Sequence, residues 1–278
     1  MRTHYAYLNG RIVPEQQAVI SPRDIGLLRG YAVFDLLRTA GGEPFLLPEH
    51  LRRLRNSAEH LGLAVPASDA EIAEAIGELL ARNDHVEATV RLVLTGGIST
   101  DGMGFDPSAP TFLILTHELH EPPASVYESG AKLLTHEHER EIPLAKTTDY
   151  LTMLSNRPRV IAEGALDLLY HRGGRISEAA SASFYLVRGT TILAPANDVL
   201  WGTIGSFVLE LARNDYAIER SELTLGDAHE ADEAFLTSTT RGVVPIVALD
   251  DTPIGSGKVG PVTADLIGRY RSAVSERR

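Results

Sequence analysis

Residues 142–151 read IPLAKTTDYL, an apolar run that ends in a lysine. That lysine is unusual for this chain: of 26 basic side chains only Lys132, Lys146 and Lys258 are lysine, and the other 23 are arginine. Arginine supplies permanent charge, whereas lysine can lose its proton at workable pH and act as an amine nucleophile or base. Taken alone, a lysine is usually a surface residue whose stem covers apolar groups. Whether Lys146 is more than that depends on what the other segments supply.

The chain has 278 residues, enough for two domains with separate cores. Its 44% apolar and 23% charged content is that of a globular protein. A net charge of -11 and a pI near 5.4 argue against a nucleic-acid backbone or an anionic membrane as partner. Small anions remain compatible, because a local arginine cluster can bind one inside an acidic protein. With no cysteine there is no disulfide, thiolate nucleophile or Cys-ligated metal, which fits a reducing compartment. The opening MRTHYAYLNGRIVPEQ has no apolar signal core, and no run approaches the roughly 18 residues of a membrane span. The expectation is a soluble cytoplasmic protein.

HYAYLNGRIV alternates around an Asn-Gly pair and predicts a hairpin. PEHLRRLRNSAEHLGL predicts a helix with Pro48 in its first turn, a Leu51, Leu54, Ala58, Leu61 stripe and Gly62 at its end. A second helix follows, with Ser68 and Glu71 spaced as a capping box. ATVRLVLTGG and TFLILTHEL read as strands, which makes the first part an α+β domain over 1–119. The paired prolines of HEPPAS place a linker at 120–125. Beyond it, 126–278 reads as a larger, β-rich domain with helices after Gly202 and over Pro261–Ser275.

Several patterns carry little chemistry. GSGKV at 255–259 lacks the full phosphate-loop spacing and has Val259 where a hydroxyl belongs. HELH and HEHE lack the i, i+4 histidines of a helical zinc site, and no histidine near Ser99 and Asp101 completes a triad. Glu178 in RISEAASASFYLV is either exposed at a bend or aimed at a partner. Gly202, Thr203 and Ile204 open a helix whose N–H groups favour an anion. Thr239 in FLTSTTRGVVP is either a phosphate donor or an ordinary strand-end residue.

In this order, these pieces resemble the pyridoxal-phosphate enzymes of fold type IV, the class IV aminotransferases. The resemblance rests on YLNGRIVP, RGYAVFDLLRT at 29–39, HLRRLRNSAEHLGL at 50–63, AKTTDYL at 145–151, RISEAASASFYLV at 175–187, LWGTIGSFVLELA at 200–212 and EAFLTSTTRGVVPI at 233–246. It implies a two-domain fold: a small N-terminal α/β sandwich and a larger C-terminal domain that binds pyridoxal 5'-phosphate (PLP). It further implies that Lys146 holds the cofactor as a Schiff base and then moves the proton as base and acid. Arg53, the backbone at Thr203 and Ile204, and Thr239 match the phosphate contacts. Glu178 matches the partner of the pyridine nitrogen, and Tyr150 the tyrosine near the phenolic oxygen. Family members are commonly dimers with active sites near the subunit interface and between domains, so a homodimer is expected.

The substrate segments depart from the better-known subfamilies. Arg29 stands where branched-chain enzymes usually carry tyrosine, and Thr89-Val90-Arg91 replaces their Y-x-R pattern. The Arg-x-His loop of the better-studied D-amino-acid enzymes has no counterpart in GGISTDGMGFD. Arg29 and Arg91, with Tyr31, Thr240 and Arg241 as further candidates, look most like a divergent D-amino-acid group that holds the α-carboxylate with arginines. The expected reaction is ping-pong transfer from a D-amino acid such as D-alanine or D-glutamate to a 2-keto acid such as 2-oxoglutarate. The alternatives are an L-branched-chain aminotransferase, an aminodeoxychorismate lyase and a non-catalytic binding protein.

Overall fold

The structure is a computed structural model that describes residues 3–277. Packing divides the chain into two units. Of the described residues, the first takes those up to His120, Leu144–Asp149 and those from Val274; the second takes Glu121–Pro143 and Tyr150–Ala273.

In the first unit, β1 (Tyr5–Leu8) and β2 (Arg11–Pro14) form the Asn-Gly hairpin, with Asn9 and Gly10 at φ 47° and 86°. Positive φ at both positions is what a turn matched to strand twist requires. There follow α1 (Ile25–Arg29), β3 (Ala32–Ala40), β4 (Glu43–Pro44), α2 (Leu47–His60), α3 (Asp69–Asn83), β5 (Ala88–Thr95) and β6 (Thr111–Glu118). The strands make one antiparallel sheet in the order β2-β1-β6-β5-β3-β4. α2 buries Leu51, Leu54 and Ala58, and α3 starts with the Ser68–Glu71 capping box.

No alternation announces β3, because it is buried along nearly its whole length. A strand covered on both faces loses the in–out pattern. Beside it lies the stretch that carries Lys146: Phe34 N–H donates to the Lys146 carbonyl (2.9 Å) and Thr148 N–H to the Ala32 carbonyl (3.1 Å). The lysine thus sits on a short strand-like addition to this unit.

In the second unit come α4 (Ala124–Ser129), β7 (Ala131–Glu137), α5 (Leu151–Ala162), β8 (Asp167–Arg172), β9 (Arg175–Ala179), β10 (Ser183–Arg188), β11 (Thr191–Pro195) and α6 (Thr203–Ala212). They continue into β12 (Ala217–Ser221), β13 (Leu223–Thr224), α7 (Leu225–Glu230), β14 (Glu233–Ser238), β15 (Gly242–Leu249), β16 (Thr252–Pro253) and α8 (Pro261–Ser275), whose last two residues are grouped with the first unit. The sheet runs β12-β11-β10-β14-β15-β7-β8-β9-β13, with β16 beside β15. It is mixed: β7 pairs parallel with β8 and β15, and β11 with β12. Leu133, Leu169, Phe184, Leu236 and Val244 lie in its core. Among the described residues no helix is long and apolar enough to cross a membrane.

Candidate active site

In the first unit the candidate residues gather around β3. Ser57 on α2 accepts the Lys146 N–H at 3.0 Å, so both backbone polar groups of Lys146 are held. Its Nζ lies 4.5 Å from the Phe34 ring centroid, and the Arg91 guanidinium lies 5.1 Å from the same centroid. β5 makes this possible by pairing Arg91 with Leu36, two residues along β3 from Phe34. An amine and a permanent cation therefore share one aromatic ring, each attracted to its π-density.

One helical turn connects Arg53 and His50 on α2, and both reach Asp35 on β3. Arg53 donates Nε to Asp35 Oδ2 (2.8 Å) and Nη2 to Oδ1 (2.9 Å), a two-point fork, while His50 Nδ1 lies 2.7 Å from Oδ1. Asp35 is fully buried. Burial alone would raise its pKa, but the Arg53 charge and the hydrogen bonds from Arg53 and His50 outweigh it and hold the carboxyl well below the usual range. Burial lowers the His50 pKa and keeps the ring neutral. Its Nε2 has no hydrogen-bond partner among the described residues. Asp35 thus orients the arginine expected to meet phosphate. Asp35 and His50 had no assigned role in the sequence reading, although a carboxylate inside the apolar run AVFDLL was a visible signal.

The remaining substrate candidates of this unit directly precede β3, where the Gly30 carbonyl accepts the Thr148 hydroxyl at 3.2 Å. Tyr31 donates its hydroxyl to the Leu61 carbonyl (2.6 Å) and packs against Phe105 at 5.0 Å. Arg29, the last residue of α1, is exposed and donates to the neighbouring Leu28 carbonyl (3.0 Å).

In the second unit Glu178 is a buried residue of β9, 4% exposed, rather than a bend residue. Arg140 explains how a carboxylate can be buried there: its Nε donates to Glu178 Oε1 at 2.7 Å and its Nη2 to the Ala180 carbonyl at 2.7 Å. The sequence reading passed over Arg140, because HEHERE reads as a solvated charge run. Tyr150 is the residue before α5, and the Arg140 guanidinium lies 5.6 Å from its ring centroid.

The same unit holds the anion candidates. Thr203 and Ile204 open α6, both buried, and among the described residues no side chain caps this helix start. A Cβ at Gly202 would meet Ser183 Oγ, so a larger residue there would push the serine hydroxyl aside. Glu178 and Gly202 line one open groove, together with Ser183, Leu200, Trp201 and Ser206. Thr239 and Thr240 occupy the turn between β14 and β15. Arg241 turns to other partners: Ser181 Oγ at 2.8 Å, Ser238 Oγ at 2.9 Å and the buried Asp167 at 3.4 Å.

This donor set fits the expected cofactor on its chemistry. A buried helix start with no side-chain cap suits a phosphate dianion, and a buried carboxylate suits a protonated ring nitrogen. A lysine with its backbone clamped on both sides suits a covalent attachment.

Comparison with known proteins agrees. The family model for amino-transferase class IV matches residues 32–249. The D-alanine aminotransferase of Listeria monocytogenes serotype 1/2a (strain 10403S) is 27% identical over 266 residues, 93% of this chain and 92% of that protein. A putative branched-chain-amino-acid aminotransferase of Methanocaldococcus jannaschii is 29% identical over 277 residues, 95% and 94% of the two chains. Among solved structures, a branched-chain amino acid aminotransferase from T.th. with pyridoxamine 5'-phosphate superimposes with a TM-score of 0.90 at 26% identity, covering 100% of this chain and 96% of the other. The clamped lysine, the uncapped α6 start and a match across most of the chain converge on one assignment: this chain belongs to the class IV aminotransferases, the PLP-dependent family its motifs resemble.

Proposed function

We propose that the chain moves an amino group from a D-amino acid, such as D-alanine or D-glutamate, to a 2-keto acid such as 2-oxoglutarate. The observation that carries the amino-acid part is the pairing of Lys146 Nζ and the Arg91 guanidinium on the Phe34 ring. In this reading Arg91 is the carboxylate anchor and Lys146 the amine, both packed on Phe34. The D-preference draws on the likeness to D-alanine aminotransferases and on the missing Y-x-R tyrosine at Thr89.

When bound, PLP supplies the electron sink for the carbanion. In this reading Lys146, Arg53, Tyr150, Glu178, Thr203, Ile204 and Thr239 would hold it. Arg53 and the α6 N–H groups bind phosphate, with Asp35 keeping the Arg53 fork oriented. Glu178 would accept the N–H of the ring nitrogen. Lys146 would hold the cofactor through its amine, and that amine would then act as general base and acid for the substrate proton. Arg91 holds the α-carboxylate so that the Cα–H bond meets the Lys146 amine. Arg29, Tyr31, Thr240 and Arg241 are assigned to the outer substrate contacts.

Titration of the holoenzyme with single amino acids, followed in the visible absorption of the cofactor, tests the stereochemical choice. D-alanine or D-glutamate should bleach the band and L-leucine should not. Bleaching by L-leucine or L-valine alone would establish the branched-chain reading, which the likeness to the T.th. enzyme favours.

A further inference from the structure

Arg140 lies outside every family motif quoted above, yet it touches two of the side chains assigned to the cofactor ring. Its guanidinium donates to Glu178 Oε1 and to the Ala180 carbonyl, both at 2.7 Å, and stacks 5.6 Å from the Tyr150 ring centroid. The side chains of Arg140 and Glu178 are 12% and 6% exposed, so water screens the pair little. Tyr170 completes the surroundings. Burial pushes its phenol up to about 12, so it stays neutral and leaves Glu178 to balance the guanidinium.

We propose that Arg140 is a positioning residue for transamination, which fixes the Glu178 carboxylate against β9 and tempers its basicity while its flat face orients Tyr150. This inference rests on the reading that Glu178 meets the ring nitrogen. A carboxylate paired with a guanidinium is a weaker base than a lone buried one. It can accept a hydrogen bond from the protonated ring nitrogen without removing the proton, and the proton therefore stays where electron withdrawal needs it. Arginine is required because one rigid plane must reach a carboxylate and a carbonyl together and still present a face to an aromatic ring. A lysine ammonium keeps the charge but has no such plane.

The test uses holoenzymes of the wild type, R140K, R140M, E178Q and R140M/E178Q. The readouts are kcat, KM, the dissociation constant for PLP and the pH midpoint of the cofactor's visible band. R140M should lower kcat by about tenfold or more, as for a lost charge-assisted hydrogen bond, and should move the midpoint with KM little changed. R140K should lie between R140M and wild type. The double variant should be no worse than E178Q, because Arg140 acts through Glu178. A wild-type midpoint and kcat in R140M, or losses in the double variant that simply multiply, would overturn the inference. Should R140M not fold, R140K decides: indistinguishable from wild type, it overturns the inference equally. An E178Q enzyme with unaltered band and kcat would instead refute the placement of Glu178 at the ring nitrogen, a separate failure.

Discussion

Phe34 carries two cations on one ring, and the account assigns them different tasks: Lys146 the chemistry, Arg91 the substrate carboxylate. Replacing Arg91 with methionine should therefore raise KM for amino and keto acid alike, by about 1.5 to 3 kcal/mol of lost binding for a charge-assisted contact. The cofactor band should persist. Unchanged KM values for both substrates would remove Arg91 from the site. Lys146→Arg keeps the charge but lacks a nucleophilic amine, so covalent attachment should be lost. Asp35→Asn removes the charge that Arg53 and His50 share in a buried setting. Breaking such a pair costs about 3 to 5 kcal/mol, which thermal or urea unfolding would register. Lys146 was legible in the sequence as an odd lysine among arginines, and Glu178 as an odd carboxylate. Their holders were not. Ser57 and Arg140 act through pairings made by folding, and no spacing within one segment encodes them; Asp35 shows as a carboxylate in an apolar run, but its partners do not.

Elements with local signals were readable and those without them were not. α3 and α8 are examples of the first kind: one opens on a capping box and the other on Pro261. The structure adds a cap for α8 that sequence spacing does not show. The buried Glu233 carboxylate accepts Val262 N–H at 3.0 Å and Thr263 N–H at 2.8 Å, from β14. Glu233→Ala should destabilise the protein by about 1 to 2 kcal/mol, the range for a lost N-terminal cap. A denaturation midpoint equal to wild type would refute that role. α5 belongs to the second kind. It contains Pro158, buries Val160 alone, and leaves Leu151, Leu154 and Ile161 exposed, so it has no inward stripe to read. β9 hides for a related reason: its charged Glu178 is buried through Arg140, which a hydropathy pattern reads as surface.

At the scale of the molecule, packing places the Lys146 stretch, Leu144–Asp149, in the same unit as the described residues up to His120, although β7 before it and α5 after it belong to the other. Periodicity cannot reveal such an exchange, because it depends on contacts across more than a hundred residues of sequence. The buried Asp35–His50–Arg53 group also sets a pH dependence for global stability. His50 stays neutral in the fold, while an unfolded histidine takes a proton below its ordinary 6.5, so stability should fall as pH drops from there. Asp35 is held below its ordinary 3.8, so its contribution is present above that value and drains away on further acidification. The melting temperature should therefore decline from about pH 6.5 downward. Asp35→Asn should flatten the limb below about pH 4. The central claim is that Lys146 is the covalent site for PLP. Borohydride reduction of the holoenzyme, followed by peptide mapping, tests it with three lysines to choose from. The account predicts one phosphopyridoxyl group, on the peptide that contains Lys146; label on Lys132 or Lys258 instead would contradict it.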